Sequence, residues 1–182
     1  MEPLQIDVGE LLTEHGASVA VQRTVAVGTL MMGESAFVPA DAATIDVLVS
    51  HAGEGVVASG TVDADFRVDC SRCLAPFTLH VRGDVQGLYV QSLDETWEEE
   101  EDAEPITAGK VDLSRAVESA LRVELPLAPL HDDECKGICP SCGADLNAAE
   151  CGCHETVASA SPFDVLRTLM IDDDSGQQEP ED

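Results

Sequence analysis

Seven cysteines in two groups constrain this chain more than any other feature of its sequence. One group is the pair in "CSRC", Cys70 and Cys73, and the other is five cysteines within the stretch 135–153. The acidic amino-terminus lacks the basic region and apolar run of a secretion signal, so we expect a cytoplasmic chain with reduced thiols. An odd number of cysteines would also leave one thiol without a disulfide partner. The cysteines are therefore expected to bind metal and not to form crosslinks.

The cysteines near the carboxyl end have the spacing of a structural metal site. Cys139 and Cys142 flank two residues in "CPSCG", and Cys151 and Cys153 follow in "CGC". A tetrahedral zinc site without an open position takes four thiolates, which this stretch supplies by itself. Gly143 directly after the second cysteine is typical of the tight turn of a zinc knuckle. We therefore predict a structural zinc ion on Cys139, Cys142, Cys151 and Cys153.

Other ligand sets remain open. A zinc ribbon often joins two distant CxxC pairs, so Cys70 and Cys73 could share a metal with part of the second group. The alternative ligands are Cys70, Cys73 and Cys135. The local set is favoured because closing a short loop costs less entropy than closing a long one. His131 and His154 flank the cluster, where histidines are more often polar loop residues than ligands.

Alternating apolar residues predict a mainly antiparallel sheet. The longest alternation has one apolar parity, formed by Val56, Ala58, Gly60, Val62, Ala64, Phe66 and Val68. Alternation resumes after "CSRC", which places Cys70 and Cys73 at the tip of a predicted hairpin. Gly83 and Gly87 in the second strand suggest bulges or bends.

A helix is predicted over residues 112–125. Asp112 is a plausible N-cap, and Pro126 ends the helix. Its apolar residues recur at spacings of three and four, namely Leu113, Val117, Ala120, Leu121 and Leu125. The predicted fold class is α+β: an antiparallel sheet of about five strands, with barrel-like closure left open, a packed helix and a metal-clipped, cysteine-rich carboxyl-terminal segment.

These elements predict four regions along the chain. An α+β domain over 1–130 carries an acidic loop at 92–105 and precedes a cysteine-rich zinc segment at 131–157. A carboxyl-terminal helix over 158–171 and a disordered acidic tail over 172–182 follow. No stretch approaches the apolar length of a membrane span.

Charge limits the partners that the chain can bind. The formal net charge is -27, with 36 acidic residues against 9 lysines and arginines. This balance disfavours broad polyanion binding and favours attraction to basic partners. Arg67, Arg72 and Arg82 near the hairpin tip could still contact RNA or a partner locally. The interpretation that we favour is that aspartates neutralise them in cross-strand pairs.

The sequence contains no pattern that points to an enzyme. The P-loop, HExxH and GxSxG motifs are absent, and the carboxylates are abundant but unpatterned. No small-molecule substrate is evident. The alternative is a CxxC-dependent redox or metal-handling protein, although a thioredoxin-like CxxC precedes a helix and this pair precedes a strand.

The ordered combination of "CSRCLAPF", "VDLSRAVESALRVELPLAPLH", "CKGICPSCGADLN" with "CGC", and "SPFDVLRTL" resembles the YceD family, which carries the DUF177 domain. The resemblance covers most of the chain. It implies a non-enzymatic cytoplasmic factor that supports accumulation and processing of large-subunit (23S) ribosomal RNA and ribosome assembly. The implied partners are large-subunit rRNA, a basic ribosomal protein, or both.

Overall fold

A computed structural model describes residues 3–53, 55–91 and 103–155. The predicted helix at 158–171, the predicted tail at 172–182 and most of the predicted acidic loop lie outside these residues. The described end of that loop forms a short strand. The elements are β1 (Gln5–Asp7), β2 (Ser18–Val25), β3 (Leu30–Met32), β4 (Ser35–Pro39), β5 (Ala43–Ala52), β6 (Gly55–Asp69), β7 (Pro76–Val90), β8 (Ala103–Pro105), β9 (Lys110–Asp112), α1 (Ser114–Glu124) and a 3-10 turn (Gly152–Glu155).

The β6–β7 hairpin is the spine of the main sheet. The two strands pair antiparallel along their whole length, from Gly55 opposite Val90 to Asp69 opposite Pro76. On its other edge β6 pairs first with β5 and then with β4. Strand β2 extends the sheet beyond β5, and β8 runs parallel to β7 at the opposite edge. Strands β1 and β9 form a separate two-stranded sheet.

The main sheet is open, so the barrel-like alternative is wrong for the part of the chain that is described. Among the described strands, β2 pairs only with β5, and β8 pairs only with β7. A closed barrel would need these outer strands to hydrogen-bond to each other. The broader prediction of an α+β protein with an antiparallel sheet and one packed helix is confirmed.

One face of the sheet is buried, as the alternation in β6 predicts. Six of the seven predicted inward residues of β6 are buried: Val56, Ala58, Val62, Ala64, Phe66 and Val68. Ile45 and Val47 of β5 and Val85 of β7 are fully buried on the same side. Each fully buried side chain of this size contributes roughly 1.5–3 kcal/mol relative to exposure. Burial of this face therefore fixes the register, because a slip by one residue would expose it.

Helix α1 covers this face across β7, and a glycine lets it approach. All five residues of the predicted apolar stripe are buried: Leu113, Val117, Ala120, Leu121 and Leu125. A Cβ added to Gly83 would lie 2.5 Å from the carbonyl oxygen of Ala120. A Cβ added to Gly87 would lie 2.8 Å from the Tyr89 ring. The predicted bulges at these glycines are wrong, since the β6–β7 register is unbroken and the glycines instead make room for packing.

Asp112 fastens the start of the helix to the amino-terminal segment. Its carboxylate accepts hydrogen bonds from the backbone N–H groups of Leu4 at 3.0 Å and Ser114 at 2.9 Å. Desolvation raises the pKa of Asp112, but the hydrogen bonds from Ser114 and Leu4 outweigh it and leave that pKa below its ordinary value. The prediction of Asp112 as the N-cap is therefore wrong by one residue, because Leu113 occupies the N-cap position without a side-chain cap hydrogen bond. Asp112 instead stabilises the helix start from the end of β9. Among the described residues, no helix is long and apolar enough to cross a membrane.

Candidate metal centres

The seven cysteines and one histidine divide into two compact groups. All seven cysteines lie in the described part of the chain, and none forms a disulfide. In each group, one ligand atom per residue lies within 4.8 Å of the others. The hairpin group consists of Cys70, Cys73, His131 and Cys135, and the four-cysteine group consists of Cys139, Cys142, Cys151 and Cys153. Either set of donors could hold a metal ion.

The hairpin group forms where the β6–β7 turn meets the chain that follows the helix. Cys70 and Cys73 lie in this turn, as the sequence predicts. The Cys70 sulfur is 3.8 Å from the Cys135 sulfur, and the Cys73 sulfur is 3.4 Å from His131 Nδ1. Cys70 and Cys135 are buried, Cys73 is half-buried and His131 is exposed. Donors distant in sequence thus converge at the edge of the sheet.

Hydrogen bonds join the two parts of the chain that carry the hairpin group, which are the β6–β7 turn and residues 129–138. The Ser71 N–H donates to the Pro129 carbonyl at 2.8 Å, and the Ile138 N–H donates to the Arg72 carbonyl at 3.1 Å. The Arg72 guanidinium donates to the Cys135 carbonyl at 2.9 Å. These bonds fix the hairpin tip against residues 129–138 independently of any ligand.

The four-cysteine group forms within a local turn. Cys139 is buried, Cys151 and Cys153 are half-buried, and Cys142 is exposed. An antiparallel bridge between Ile138 and Asp145 closes the knuckle that carries the first two cysteines. The residues of the predicted local set therefore come together, and their assignment to zinc stays a prediction.

Backbone N–H groups stabilise one thiolate in each group. Desolvation raises the pKa of the Cys70 thiol, but hydrogen bonds from the Cys73 backbone and from His131 outweigh it and lower that pKa to about 5. Hydrogen bonds from backbone N–H groups, that of Cys142 foremost, lower the pKa of Cys139 to about 6. Donors that point at sulfur favour the deprotonated form, which is also the form that binds metal.

In the four-cysteine group, neighbouring sulfurs raise the pKa of the Cys151 and Cys153 thiols. The neighbouring Cys142 sulfur, through its hydrogen bond and its charge, raises the pKa of Cys153 to about 12. A hydrogen bond from the Cys153 backbone lowers the pKa of Cys151, but the Cys139 sulfur, burial and the Cys142 sulfur together outweigh it and raise that pKa. A bound cation would remove this repulsion and deprotonate the thiols. The electrostatics of the group therefore favour a metal over free thiols.

His131 is the donor that the sequence underrated. Its distance of four residues from Cys135 resembles the spacing within many zinc sites, but a lone flanking histidine is common in loops. The structure brings its Nδ1 next to the Cys73 sulfur. The side chain of His154 lies outside the described part of the structure.

The arginines predicted to contact RNA or a partner have intramolecular neighbours. Arg82 Nη1 lies 3.8 Å from Asp63 Oδ1, and His80 Nδ1 lies 2.8 Å from Asp65 Oδ1. Both pairs are directly opposite across β6 and β7, so the predicted cross-strand pairing with an aspartate is found for Arg82 and for His80, whereas Arg72 donates to backbone carbonyls. Arg67 Nη2 lies 3.5 Å from the Ala40 carbonyl oxygen. A role of Arg67, Arg72 and Arg82 in RNA or partner contact stays a prediction.

Leu74 adopts a backbone conformation that suits glycine. Its φ is 62°, directly after Cys73, and its side chain is 62% exposed. Because the left-handed conformation costs an L-residue roughly 1–2 kcal/mol, we expect Leu74→Gly to raise the free energy of unfolding by about 1 kcal/mol. The measurement is denaturant unfolding of the metal-loaded protein.

Gly143 provides the matched control for that substitution. It follows Cys142 with a φ of 72°, and a Cβ added there would have no atom within 4 Å. Gly143→Ala is therefore expected to lower the free energy of unfolding by about 1 kcal/mol, through backbone strain alone. A lower free energy of unfolding in Leu74→Gly would show that the positive φ of Leu74 does not strain the turn after Cys73.

Comparison with known proteins places these features in a family. Residues 58–170 match the family described as Large ribosomal RNA subunit accumulation protein YceD. The matched range includes all of the β6–β7 hairpin except its first residues, together with α1 and all seven cysteines. No solved structure matches the chain.

Individual relatives are also similar in sequence to this chain. An uncharacterized protein of Mycobacterium tuberculosis is 31% identical over 163 residues, covering 85% of this chain and 76% of its own. One from Mycobacterium leprae is 30% identical over 149 residues, covering 80% of this chain and 69% of its own. The chloroplastic Large ribosomal RNA subunit accumulation protein YCED homolog 1 of Arabidopsis thaliana is 32% identical over 68 residues, 36% of this chain and 21% of that one. The chain belongs to the YceD family of large ribosomal RNA subunit accumulation proteins.

Proposed function

We propose that this protein is a non-enzymatic factor that supports the accumulation and processing of 23S rRNA, and thereby large-subunit assembly, in the cytoplasm. The observation that carries the proposal is membership of the YceD family, whose description names large ribosomal RNA subunit accumulation. The lack of enzymatic activity, the processing of 23S rRNA and the role in assembly are the proposed extension of that description. The Arabidopsis relative carries the same description.

The cysteine groups support a structural rather than a catalytic role. Each offers four protein donors, which is the complete set of a tetrahedral structural zinc site. Catalytic zinc sites instead keep one position open for water or substrate. We propose that Cys139, Cys142, Cys151 and Cys153 bind one structural zinc ion that holds the carboxyl-terminal segment beside the sheet.

Charge favours a basic ribosomal protein as the direct partner. With 36 acidic residues against 9 lysines and arginines, the chain repels the rRNA backbone at long range and attracts a basic protein. Arg72 and Arg82, which were candidates for RNA contact, face carbonyl and carboxylate oxygens of the chain itself. Such charge complementarity mainly speeds association and weakens as salt rises. Contact with rRNA would then be made through the bound protein.

Depletion of the protein in its native host tests the proposed role. We expect the ratio of 23S to 16S rRNA to fall and precursors of 23S rRNA to accumulate. Re-expression of the intact chain should restore the ratio. An unchanged ratio after depletion would rule out the proposed function.

Purification of the tagged chain from the same cells at low salt tests the partner. A basic large-subunit protein should co-purify, remain bound after ribonuclease treatment and be released by added salt. Loss of the protein on ribonuclease treatment, with rRNA fragments bound directly to the chain, would replace the basic protein with rRNA as the partner. An activated thiol at Cys70 that exchanges with small disulfides would instead favour the redox or metal-handling alternative.

A further inference from the structure

We propose that Cys70, Cys73, His131 and Cys135 bind a second structural zinc ion, separate from the ion at the four-cysteine group. Its occupancy does not depend on the role proposed above in rRNA accumulation. The two groups share no residue, so the chain would carry two zinc ions. The sequence alone offered Cys70, Cys73 and Cys135 only as substitutes within a single site.

Two donor–donor distances in the hairpin group match a tetrahedral zinc ion, and all four donor atoms lie within 4.8 Å of one another. With Zn–S near 2.3 Å and Zn–N near 2.05 Å, tetrahedral geometry places two sulfurs about 3.8 Å apart and a sulfur and a nitrogen about 3.6 Å apart. The observed distances are 3.8 Å between the Cys70 and Cys135 sulfurs and 3.4 Å between the Cys73 sulfur and His131 Nδ1. A disulfide would require sulfurs about 2.05 Å apart. The spacing therefore fits a common central ion.

The turn that carries Cys70 and Cys73 repeats the backbone of the four-cysteine knuckle. The Leu74 N–H donates to the Cys70 carbonyl at 2.9 Å, and the Cys70 N–H donates to the Ala75 carbonyl at 2.9 Å. In the other knuckle, the residues at the same positions make the same two bonds at 2.8 Å each, from Gly143 to Cys139 and from Cys139 to Ala144.

The residue after the second cysteine has a positive φ in both knuckles. It is 62° at Leu74 and 72° at Gly143. A leucine persists in this conformation only where its surroundings over-determine it, and such strain concentrates at ligand-binding sites. A tetrahedral ion held by both cysteines of the turn supplies such a constraint. The two turns make the same pair of backbone hydrogen bonds, and the turn at Cys70 does so although Leu74 is strained. We therefore infer that both turns bind the same kind of metal ion.

Neighbouring groups orient the donors of the hairpin group. The Asn147 side-chain amide donates to the Cys135 sulfur at 3.4 Å, and the Arg72 guanidinium donates to the Cys135 carbonyl. The Phe77 ring lies edge-on to His131, with ring centroids 6.5 Å apart. Partners of this kind commonly fix the ligands of metal sites. They also tie the sheet to the knuckle segment, so the ion would join the two parts of the chain.

Metal analysis of the full-length chain, purified without chelator, tests the proposal. We expect two zinc ions per chain in the unmodified protein and one in His131→Ala. His131→Cys should keep both ions, because it preserves four donors. His15→Ala, which removes an exposed histidine outside both groups, should also keep both. One zinc ion in the unmodified protein, unchanged by His131→Ala, would overturn the second site.

X-ray absorption at the zinc edge gives a test that needs no variant to fold. Two sites with three and four sulfurs predict an average shell of about 3.5 sulfur and 0.5 nitrogen atoms per zinc. A shell of sulfur alone would overturn the proposal, since it would leave His131 without a metal.

Zinc bound at the hairpin group should also be released more slowly to an added chelator than zinc bound at the four-cysteine group. The reason is that the hairpin group has two buried donors, Cys70 and Cys135, whereas the four-cysteine group has one, Cys139; equal or reversed rates would contradict the site as described.

Discussion

Cys139→Ser is expected to release the zinc ion proposed for the four-cysteine group and to abolish native structure in residues 138–155. Structural zinc contributes about 10–16 kcal/mol in small zinc-binding peptides, far more than the few hydrogen bonds of this segment can replace. Cys139 is the buried donor of the group, and its backbone also closes the knuckle. The loss should stay local, because the sheet and helix have their own apolar core.

Hydrogen exchange measured together with zinc content separates this local loss from global unfolding. The amides of Cys139, Gly143 and Leu146, which donate to the carbonyls of Ala144, Cys139 and Gly137, should lose protection in Cys139→Ser. The amides of β5 and β6 should keep theirs. Ser141→Ala is the matched control, since it alters the same knuckle and removes no sulfur. Retained zinc and unchanged protection in Cys139→Ser would show that this cysteine is not a ligand.

Gly83→Ala is expected to destabilise the sheet and helix by about 3 kcal/mol. The added Cβ would lie 2.5 Å from the Ala120 carbonyl oxygen and 2.7 Å from its carbon. Both atoms belong to a helix backbone, so neither can turn aside as a flexible side chain could. Helix α1 would have to lift from β7, and its buried residues would lose contact with the sheet. The midpoint of thermal unfolding should fall by about 10 °C.

Gly28→Ala is the matched control for this change. Gly28 has no atom within 4 Å of an added Cβ and a φ that other residues adopt. The effect should therefore stay within about 0.5 kcal/mol. Thermal and denaturant unfolding are measured for both variants. The difference between them gives the loss of stability caused by the clash with the α1 backbone at Gly83, apart from the effect of replacing a glycine. Equal stability of the two variants would mean that α1 does not rest on Gly83.

The spacing of apolar residues in the sequence predicted which faces of β6 and α1 are buried. The alternation in β6 predicted which face is buried, because period-two patterns reflect a strand with one face toward a core. The helical stripe from Leu113 to Leu125 predicted the buried face of α1 for the corresponding reason. The barrel-like alternative failed because sheet closure depends on which outer strands meet, and alternation does not specify that pairing.

The glycines show where local interpretation ends. Gly83 and Gly87 lie in a strand, and a strand glycine predicts either a bulge or a close approach. Only the position of α1 and of the Tyr89 ring decided between them. The partners of the hairpin arginines could not be predicted from the sequence either. Arg82 lies opposite Asp63 because of the register between β6 and β7, which the tertiary structure sets.

The sequence by itself determined that this chain would build an antiparallel sheet with one packed helix, and that its cysteines would converge in knuckle-like turns. Those properties follow from side-chain periodicity and short spacings. The tertiary structure decided how the cysteines divide. Cys70 and Cys135 are 65 residues apart, and only the hairpin's position against residues 129–138 brings their sulfurs within 3.8 Å. The physical reason is that ligand sets are chosen by distance in space, which the folded sheet fixes and the sequence spacing does not.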